Sequence, residues 1–190
     1  CAYCYENVSH QGNIMELETF KQVAEKAITS SINPCITFIF HGGEPSIVSE
    51  QWYTEAIHFC NELAMSLAKS CEYRMQTNLL SVSNEKLISL SRLGVRISAS
   101  LDSTIDAFDA ERQKSGKVLA NIMKAKELGI EISILSIINK SNYTLFPSFL
   151  NYLHESLGIK TLKANIAYPV GHGHFAQPLV PAEIFTAQKD

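Results

Sequence analysis

Apolar residues recur along this chain in two patterns, one with the spacing of a helix face and one forming short continuous runs. Three stripes repeat every three or four residues, as amphipathic helices do; they are Leu17, Phe20, Ala24, Ala27 and Ile28, then Val118, Ile122, Ala125 and Leu128, then Leu145, Phe149, Leu153 and Leu157. Runs such as Ile36–Phe40 and Ile132–Ile138 lie between the stripes and predict buried strands. The alternation predicts helices packed against a parallel sheet.

A leucine, a glycine and a β-branched residue follow one another at three places, each between a helical stripe and an apolar run. Glycine adopts the left-handed conformation that commonly follows a helix, and the residues after it can begin a buried strand. Each tripeptide therefore predicts a helix-to-strand junction, and the three glycines are Gly94, Gly129 and Gly158.

Taken together, these patterns predict an α/β fold with helices and strands in strict alternation. Helices are expected near 15–30, 50–69, 84–92, 117–128 and 145–157, and strands near 35–41, 72–78, 95–101, 131–138 and 159–168. A partial (β/α)6 barrel of TIM type, with its first strand missing, fits this order. A doubly wound open sheet is the alternative, because periodicity does not distinguish the two. Residues 1–169 would form the core, and residues 170–190 would begin a C-terminal extension.

Composition narrows the classes of function. The net charge is −3 with a pI near 6.1, and the 16 Lys and Arg residues are scattered, so no nucleic-acid partner is expected. The apolar runs are too short to span a membrane.

Five cysteines, an odd number, argue against a secreted disulfide framework and favour a reducing, cytoplasmic setting. Cys35, Cys60 and Cys71 are predicted to be packing residues. A chain that begins at a cysteine without Met is expected to be cut from a longer one.

The cysteine pair Cys1-Ala-Tyr-Cys4 and the segment His41-Gly-Gly-Glu-Pro45 are the main candidates for chemistry. The cysteine pair suits zinc, a redox dithiol or an iron–sulfur cluster. No second pair completes a tetrahedral zinc site, and a loop is predicted where a thioredoxin-like motif would open a helix, so an iron–sulfur cluster is favoured. A zinc module that uses Cys1, Cys4 and either His10 or His41 is the alternative.

The glycine pair in the second segment follows a predicted strand. Neither glycine has a Cβ, so backbone amides can approach a small charged ligand closely there. Ligands of both candidate folds bind at the carboxyl ends of strands. Polar residues at those ends are Glu44, Asn78, Ser100, Asp102 and Tyr168.

These motifs resemble the radical S-adenosylmethionine (SAM) superfamily. In that family three cysteines spaced Cys-x-x-x-Cys-x-x-Cys, with an aromatic residue before the third, hold a [4Fe–4S] cluster. Cys1, Tyr3 and Cys4 match the second cysteine, the aromatic residue and the third cysteine, and the first cysteine is expected four residues before Cys1. The resemblance implies that Cys1 and Cys4 are metal ligands and that Tyr3 lies at the cofactor.

Three further segments carry the resemblance along the chain. The family's Gly-Gly-Glu motif, which contacts the methionyl amino group of SAM, matches Gly42-Gly43-Glu44 and implies that Gly43 and Glu44 bind the cofactor. A Thr-Asn-Gly segment matches Thr77-Asn78, with Leu79 in place of glycine. An Ile-Ser-Leu-Asp-Gly segment is similar to residues 98–103, with Ser103 in place of glycine.

Asp109-Ala-Glu-Arg112 is similar to a motif of the branch that contains anaerobic sulfatase-maturating enzymes and peptide-modifying enzymes with SPASM extensions. In that branch a serine and an arginine hold the ribose and carboxylate region of SAM, and Ser100 and Arg112 have the matching separation of twelve residues. A planar guanidinium suits a carboxylate, although a surface ion pair is the alternative for Arg112. Tyr168 would border the adenine or serve in packing.

The resemblance implies a radical SAM enzyme core that abstracts hydrogen from a peptide or protein substrate. Its cofactors would be a [4Fe–4S] cluster and SAM, and its electron donor a flavodoxin or ferredoxin. A degenerate, non-catalytic fragment that binds a partner peptide is the alternative, because this sequence holds two of the three cluster cysteines and departs from the family at Leu79 and Ser103.

Overall fold

The fold was analysed in a computed structural model that describes residues 14–103, 114–167, 179–180 and 182–184. Its helices are α1 (Leu17–Ser30), α2 (Glu50–Ser66), α3 (Asn84–Arg92), α4 (Ser115–Glu127) and α5 (Phe146–Asn151). Its strands are β1 (Cys35–Phe40), β2 (Ser70–Thr77), β3 (Val95–Ser100), β4 (Ile132–Ile138) and β5 (Leu162–Ile166). Helix and strand alternate in the order that the apolar pattern predicted.

The five strands form one sheet in the order β1-β2-β3-β4-β5. The β1–β2 and β4–β5 pairs are parallel, with Cys35 opposite Ser70 and Ile134 opposite Leu162. The junction glycines have the predicted left-handed backbone, with φ of 76° at Gly94, 72° at Gly129 and 65° at Gly158. This sequential order requires a helical crossover between neighbouring strands, which is the arrangement of a (β/α) barrel.

Contacts divide the described chain into two compact units. The amino-terminal unit contains residues 14–77 and 81–97, and the carboxy-terminal unit contains residues 78–80, 98–103, 114–167, 179–180 and 182–184. The amino-terminal unit is built on an aromatic cluster between its helices and β1 and β2. Phe40 is central to it, with its ring centroid 5.0 Å from Tyr53 and 6.4 Å from Tyr73. Phe20 packs against Trp52 at 5.0 Å.

The prediction that β1 is a buried strand is wrong for one of its faces. Exposed residues alternate with half-buried ones along β1, and Ile39 is 60% exposed. The aromatic residues of β1 pack against helix residues on the opposite face, and the face that carries Ile39 is left exposed. Cys35 lies on the exposed face, so its predicted packing role is also wrong, whereas Cys60 is buried as predicted and Cys71 is half-buried.

The carboxy-terminal unit packs the stripe of α4 in its core, where Val118, Ile122 and Ala125 are buried. The helix predicted over 145–157 is present, but its second half, Tyr152–Ser156, is π-helical. Gly158 and Ile159 still donate to carbonyls of this segment, at 3.0 and 2.9 Å. For that reason β5 begins later than predicted.

Among the helices that the structure describes, none is long and apolar enough to cross a membrane.

Candidate functional site

The loop after β1 places the Gly-Gly-Glu segment at the carboxyl end of a strand. Gly42 has φ of 110°, a conformation that L side chains rarely adopt, and its amide donates to His41 Nδ1 at 2.7 Å. A Cβ built on Gly42 would meet no atom of the described residues within 4 Å. The space beside this glycine is therefore open, as the approach of a small ligand requires.

Two hydrogen bonds to one carboxylate oxygen fix the Glu44 side chain. Thr77 Oγ1, at the end of β2, donates to Glu44 Oε1 at 2.6 Å, and the Ser46 amide donates to the same oxygen at 3.0 Å. Ser46 belongs to the 3₁₀ turn Pro45–Ile47, and the Glu44 side chain caps this turn by accepting from the Ser46 amide. The motif glutamate and the motif threonine, which are 33 residues apart, are thus brought together as a single hydrogen-bonded group.

Two side chains, one from α2 and one from α3, hold this turn by donating hydrogen bonds to backbone carbonyls. Tyr53 of α2, which is 1% exposed, donates its hydroxyl to the Pro45 carbonyl at 2.7 Å. Lys86 of α3, which is 9% exposed, donates its ammonium to the carbonyls of Ser46 and Val48. Burial and then the Glu44 charge raise the pKa of Tyr53. Burial lowers the pKa of Lys86, and the charges of Glu50 and Glu44 partly oppose that shift.

An anchored carboxylate beside open glycine backbone is suited to a small cation. The Glu44 carboxylate is held before any ligand arrives, so little conformational entropy is lost on binding. The methionyl amino group of SAM is such a cation, and the residues of this loop fit it. In contrast, among residues 14–103, 114–167, 179–180 and 182–184, no cluster of three His, Cys, Asp or Glu side chains could hold a metal ion.

The end of β2 forms a short turn. Asn78 Oδ1 accepts from the Leu80 amide at 2.8 Å, and the Leu79 carbonyl accepts from Asn121 Nδ2 at 2.7 Å. Leu79 is a non-glycine residue with φ of 56°. Leu79, which stands where the family motif has glycine, therefore has a left-handed backbone.

Ser100 and Asp102 lie at the carboxyl end of β3, and both are buried. Asp102 Oδ1 accepts from the Ile137 amide at 2.8 Å, and Asn142 Nδ2 donates to the Ile137 carbonyl at 2.9 Å. Ser136 donates its hydroxyl to the Leu101 carbonyl. These bonds link the end of β3 to β4, so Asp102 has a structural role and Ser100 is held in a rigid segment.

The remaining predicted site residues lie outside the described residues: Cys1, Tyr3, Cys4, Arg112 and Tyr168. Conversely, the sequence motifs do not indicate Tyr53 and Lys86, which hold the segment from His41 to Val48, here called the Glu44 loop. One signal was available for Lys86, because it lies four residues before Leu90 and so shares the buried face of α3.

Comparison with known proteins identifies the family that carries these motifs. A family model described as the radical SAM superfamily matches residues 1–152. A cysteine-type anaerobic sulfatase-maturating enzyme of Clostridium novyi is 27% identical over 153 residues, covering 74% of this chain and 40% of that protein. An uncharacterized protein of Methanothermobacter thermautotrophicus is 23% identical over 158 residues, covering 82% of this chain and 59% of that protein.

Solved structures share the fold. Native anSMEcpe with bound AdoMet and the Kp18Cys peptide has a TM-score of 0.81 at 18% identity, covering 98% of this chain and 53% of that one. Streptococcus suis SuiB bound to S-adenosylmethionine has a TM-score of 0.73 at 15% identity, covering 100% and 43%. The predicted partial barrel is therefore confirmed, and the chain spans about half the length of the proteins that it matches.

Proposed function

The chain belongs to the radical SAM superfamily, as its motifs predicted, and from that premise we propose that it is the core of an enzyme that abstracts hydrogen from a peptide or protein substrate. The peptide class is supported by a relative named as a sulfatase-maturating enzyme and by a solved structure of the same fold with a bound peptide. When bound, a reduced [4Fe–4S] cluster and SAM would supply the 5′-deoxyadenosyl radical for this chemistry.

The observation that carries the proposal is the Glu44 loop. A radical SAM enzyme must orient the amino group of SAM, and here a carboxylate is anchored by Thr77 and by the Ser46 amide beside open backbone at Gly42. Pre-organised charge of this kind binds and orients a ligand with little rearrangement. Other proteins of the fold bind SAM, which supports the same role for this loop.

We assign the other roles from the family motifs. Cys1 and Cys4 would hold the cluster, because thiolates are its usual ligands. Tyr3 would lie against the cofactor, and Gly43 would offer it backbone. Ser100, Arg112 and Tyr168 would bind the ribose, the carboxylate and the adenine side of SAM.

We also propose the domain bounds, the partners and the compartment of the protein. Residues 1–169 would form the catalytic core, and residues 170–190 would begin an extension. The electron donor would be a flavodoxin or ferredoxin, and neither a nucleic acid nor a membrane would be a partner. The reducing cytoplasm would be its compartment, because free thiols stay reduced there.

The test is an anaerobic assay on the complete gene product. The protein is reconstituted with iron and sulfide, dithionite and SAM are added, and 5′-deoxyadenosine is measured by chromatography. Glu44→Gln keeps the size of the side chain and removes its charge. Because a hydrogen bond to a charged group contributes about 1.5–3 kcal/mol, we expect SAM affinity to fall by about tenfold or more.

A matched control is Glu62→Gln, which removes an exposed carboxylate of α2 that pairs with His58. This variant should form 5′-deoxyadenosine at the wild-type rate. Cys4→Ala should abolish the product. A wild-type protein that binds stoichiometric zinc and no SAM would instead support the zinc module and end the proposal.

A further inference from the structure

We propose that Lys86 is a positioning residue for SAM binding, because it sets the orientation of Glu44 by holding both ends of the turn that follows it. The inference rests on the proposed function of the Glu44 loop. Lys86 does not belong to the motifs that identify the family in this sequence, and it reaches the loop from α3, 38 to 40 residues further along the chain.

The location of Lys86 is an unfavourable one for a lysine. It lies in the first turn of α3, where Ser83 Oγ accepts from its amide at 3.2 Å, and cations are disfavoured at the positive end of a helix dipole. It is also buried, which lowers its pKa. A residue placed against both effects must gain specific contacts in return, and among the described residues the Lys86 ammonium donates to the two loop carbonyls.

Those two contacts bracket the turn. Lys86 Nζ donates to the carbonyls of Ser46 and Val48, on either side of Ile47. The amide of Ser46 donates to Glu44 Oε1. The Ser46 carbonyl and the Ser46 amide belong to adjacent peptide groups that meet at the Ser46 Cα, so holding that carbonyl restrains the donor that orients the Glu44 carboxylate. Lys86 acts on the carboxylate through one residue of backbone.

The Ser46 side chain does not supply this restraint. Its hydroxyl is buried and has no hydrogen-bond partner among the described residues. The turn is fixed instead through its carbonyls, by Lys86 and by Tyr53 at Pro45. Removal of the ammonium would leave the Ser46 and Val48 carbonyls without this donor and loosen the turn beyond Pro45, where Tyr53 still holds it.

The test compares Lys86→Met and Lys86→Arg in the complete gene product, reconstituted anaerobically, with SAM affinity measured by titration. Methionine keeps much of the apolar stem and removes every donor. We expect the dissociation constant for SAM to rise by about tenfold in Lys86→Met. Arginine keeps the charge and several donors, so Lys86→Arg should recover most of the affinity.

Lys69→Met is the matched control. Lys69 is a half-buried lysine of the same amino-terminal unit, and its ammonium also donates to two backbone carbonyls, those of Ile28 at 2.5 Å and Ser31 at 2.7 Å. Its removal should lower the unfolding temperature as Lys86→Met does, while SAM affinity stays within about twofold of wild type. A general loss of stability is thereby separated from a loss of orientation.

A double-mutant cycle with Glu44→Gln tests whether Lys86 affects SAM binding through Glu44. If Lys86 acts through Glu44, then Lys86→Met adds little to the loss of affinity in Glu44→Gln. Full additivity, or equal affinities in Lys86→Met and Lys69→Met, would overturn the inference while leaving the proposed function intact. Failure of the wild-type protein to bind SAM would overturn both.

Discussion

Leu79 has a backbone conformation that glycine adopts far more readily. Its φ is 56°, and a left-handed backbone costs a non-glycine residue about 1–2 kcal/mol. However, the side chain is fully buried at 0% exposure, and burying a leucine contributes about 1.5–3 kcal/mol. Burial therefore outweighs strain, and the departure from the family's glycine adds an apolar residue to the core while the turn keeps its shape.

Two substitutions at Leu79 separate these effects. Leu79→Ala loses the burial and keeps the strain, so we expect it to lower the free energy of unfolding by about 3–5 kcal/mol. Leu79→Gly loses the same packing but relieves the strain, and we expect it to be more stable than Leu79→Ala by up to about 1 kcal/mol. Urea unfolding of both variants measures the difference. A glycine variant less stable than the alanine variant would show that the position carries no strain.

At the scale of elements, β1 joins the aromatic cluster to the Glu44 loop. Phe40, its last residue, lies 5.0 Å from the ring of Tyr53, and Tyr53 in turn bonds to the Pro45 carbonyl. Ile39, its neighbour, is on the exposed face of the strand. The aromatic face of β1 therefore contributes more to the stability of the fold than the exposed face does. Contacts of the aromatic face also position the Glu44 loop.

We expect Phe40→Ala to lower the free energy of unfolding by about 2–3 kcal/mol, below the range for a fully buried phenylalanine because Phe40 is half-buried. Ile39→Ala, one residue earlier on the same strand, should change it by about 0.5 kcal/mol or less. Thermal denaturation of the two variants provides the comparison. Equal effects would mean that the exposed face of β1 is also packed in the folded protein.

The order of the elements could be predicted because it depends on local patterns. Helical stripes and the Leu-Gly junctions each depend on residues close together in sequence, and the junction glycines have the left-handed backbone that was predicted. The errors arose where neighbours in space decide the outcome. The apolar run of β1 gave no indication that one face is uncovered, and the late start of β5 depends on hydrogen bonds from Gly158 and Ile159 back to the preceding helix.

The candidate site divides in the same way. Glu44 and Thr77 could be predicted from motifs and strand ends, but their hydrogen bond could not. Lys86 and Tyr53 act on backbone carbonyls, which any sequence offers at every position, so no pairing of residue types indicates them. Supports of this kind become visible only when the folded structure shows which carbonyl each donor reaches.

At the scale of the whole molecule, several buried acids favour the protonated state. Burial, followed by the charge of Cys71, raises the pKa of Cys60 from 9.0 to about 12. Burial also raises the pKa values of Cys71, Tyr53 and Tyr73, and the Tyr73 hydroxyl donates to Asn61 Oδ1 at 2.8 Å. All four groups therefore change the free energy of unfolding in the same direction when the pH becomes alkaline.

The raised pKa values make the folded state less stable as the pH rises. Between pH 9 and about 12 the unfolded chain releases the Cys60 proton that the folded chain keeps, so stability is fully present below pH 9 and is lost as pH rises. Each such group contributes a slope of up to about 1.4 kcal/mol per pH unit. The lowered pKa of Lys86 acts in the opposite direction, but it is one group against four.

We therefore expect the free energy of unfolding, measured by urea titration, to stay level from neutral pH up to about pH 9 and then fall steeply. Cys60→Ala should make that fall shallower, because one of the four groups is gone. Ile57→Val is the control: it removes a buried methylene from α2, costs about 0.5–1.5 kcal/mol and changes no titrating group, so its curve should run below that of the wild type with the same slope. A Cys60→Ala curve parallel to the wild type would mean that this thiol titrates alike in the folded and unfolded chains, and that its burial is not what couples the fold to pH.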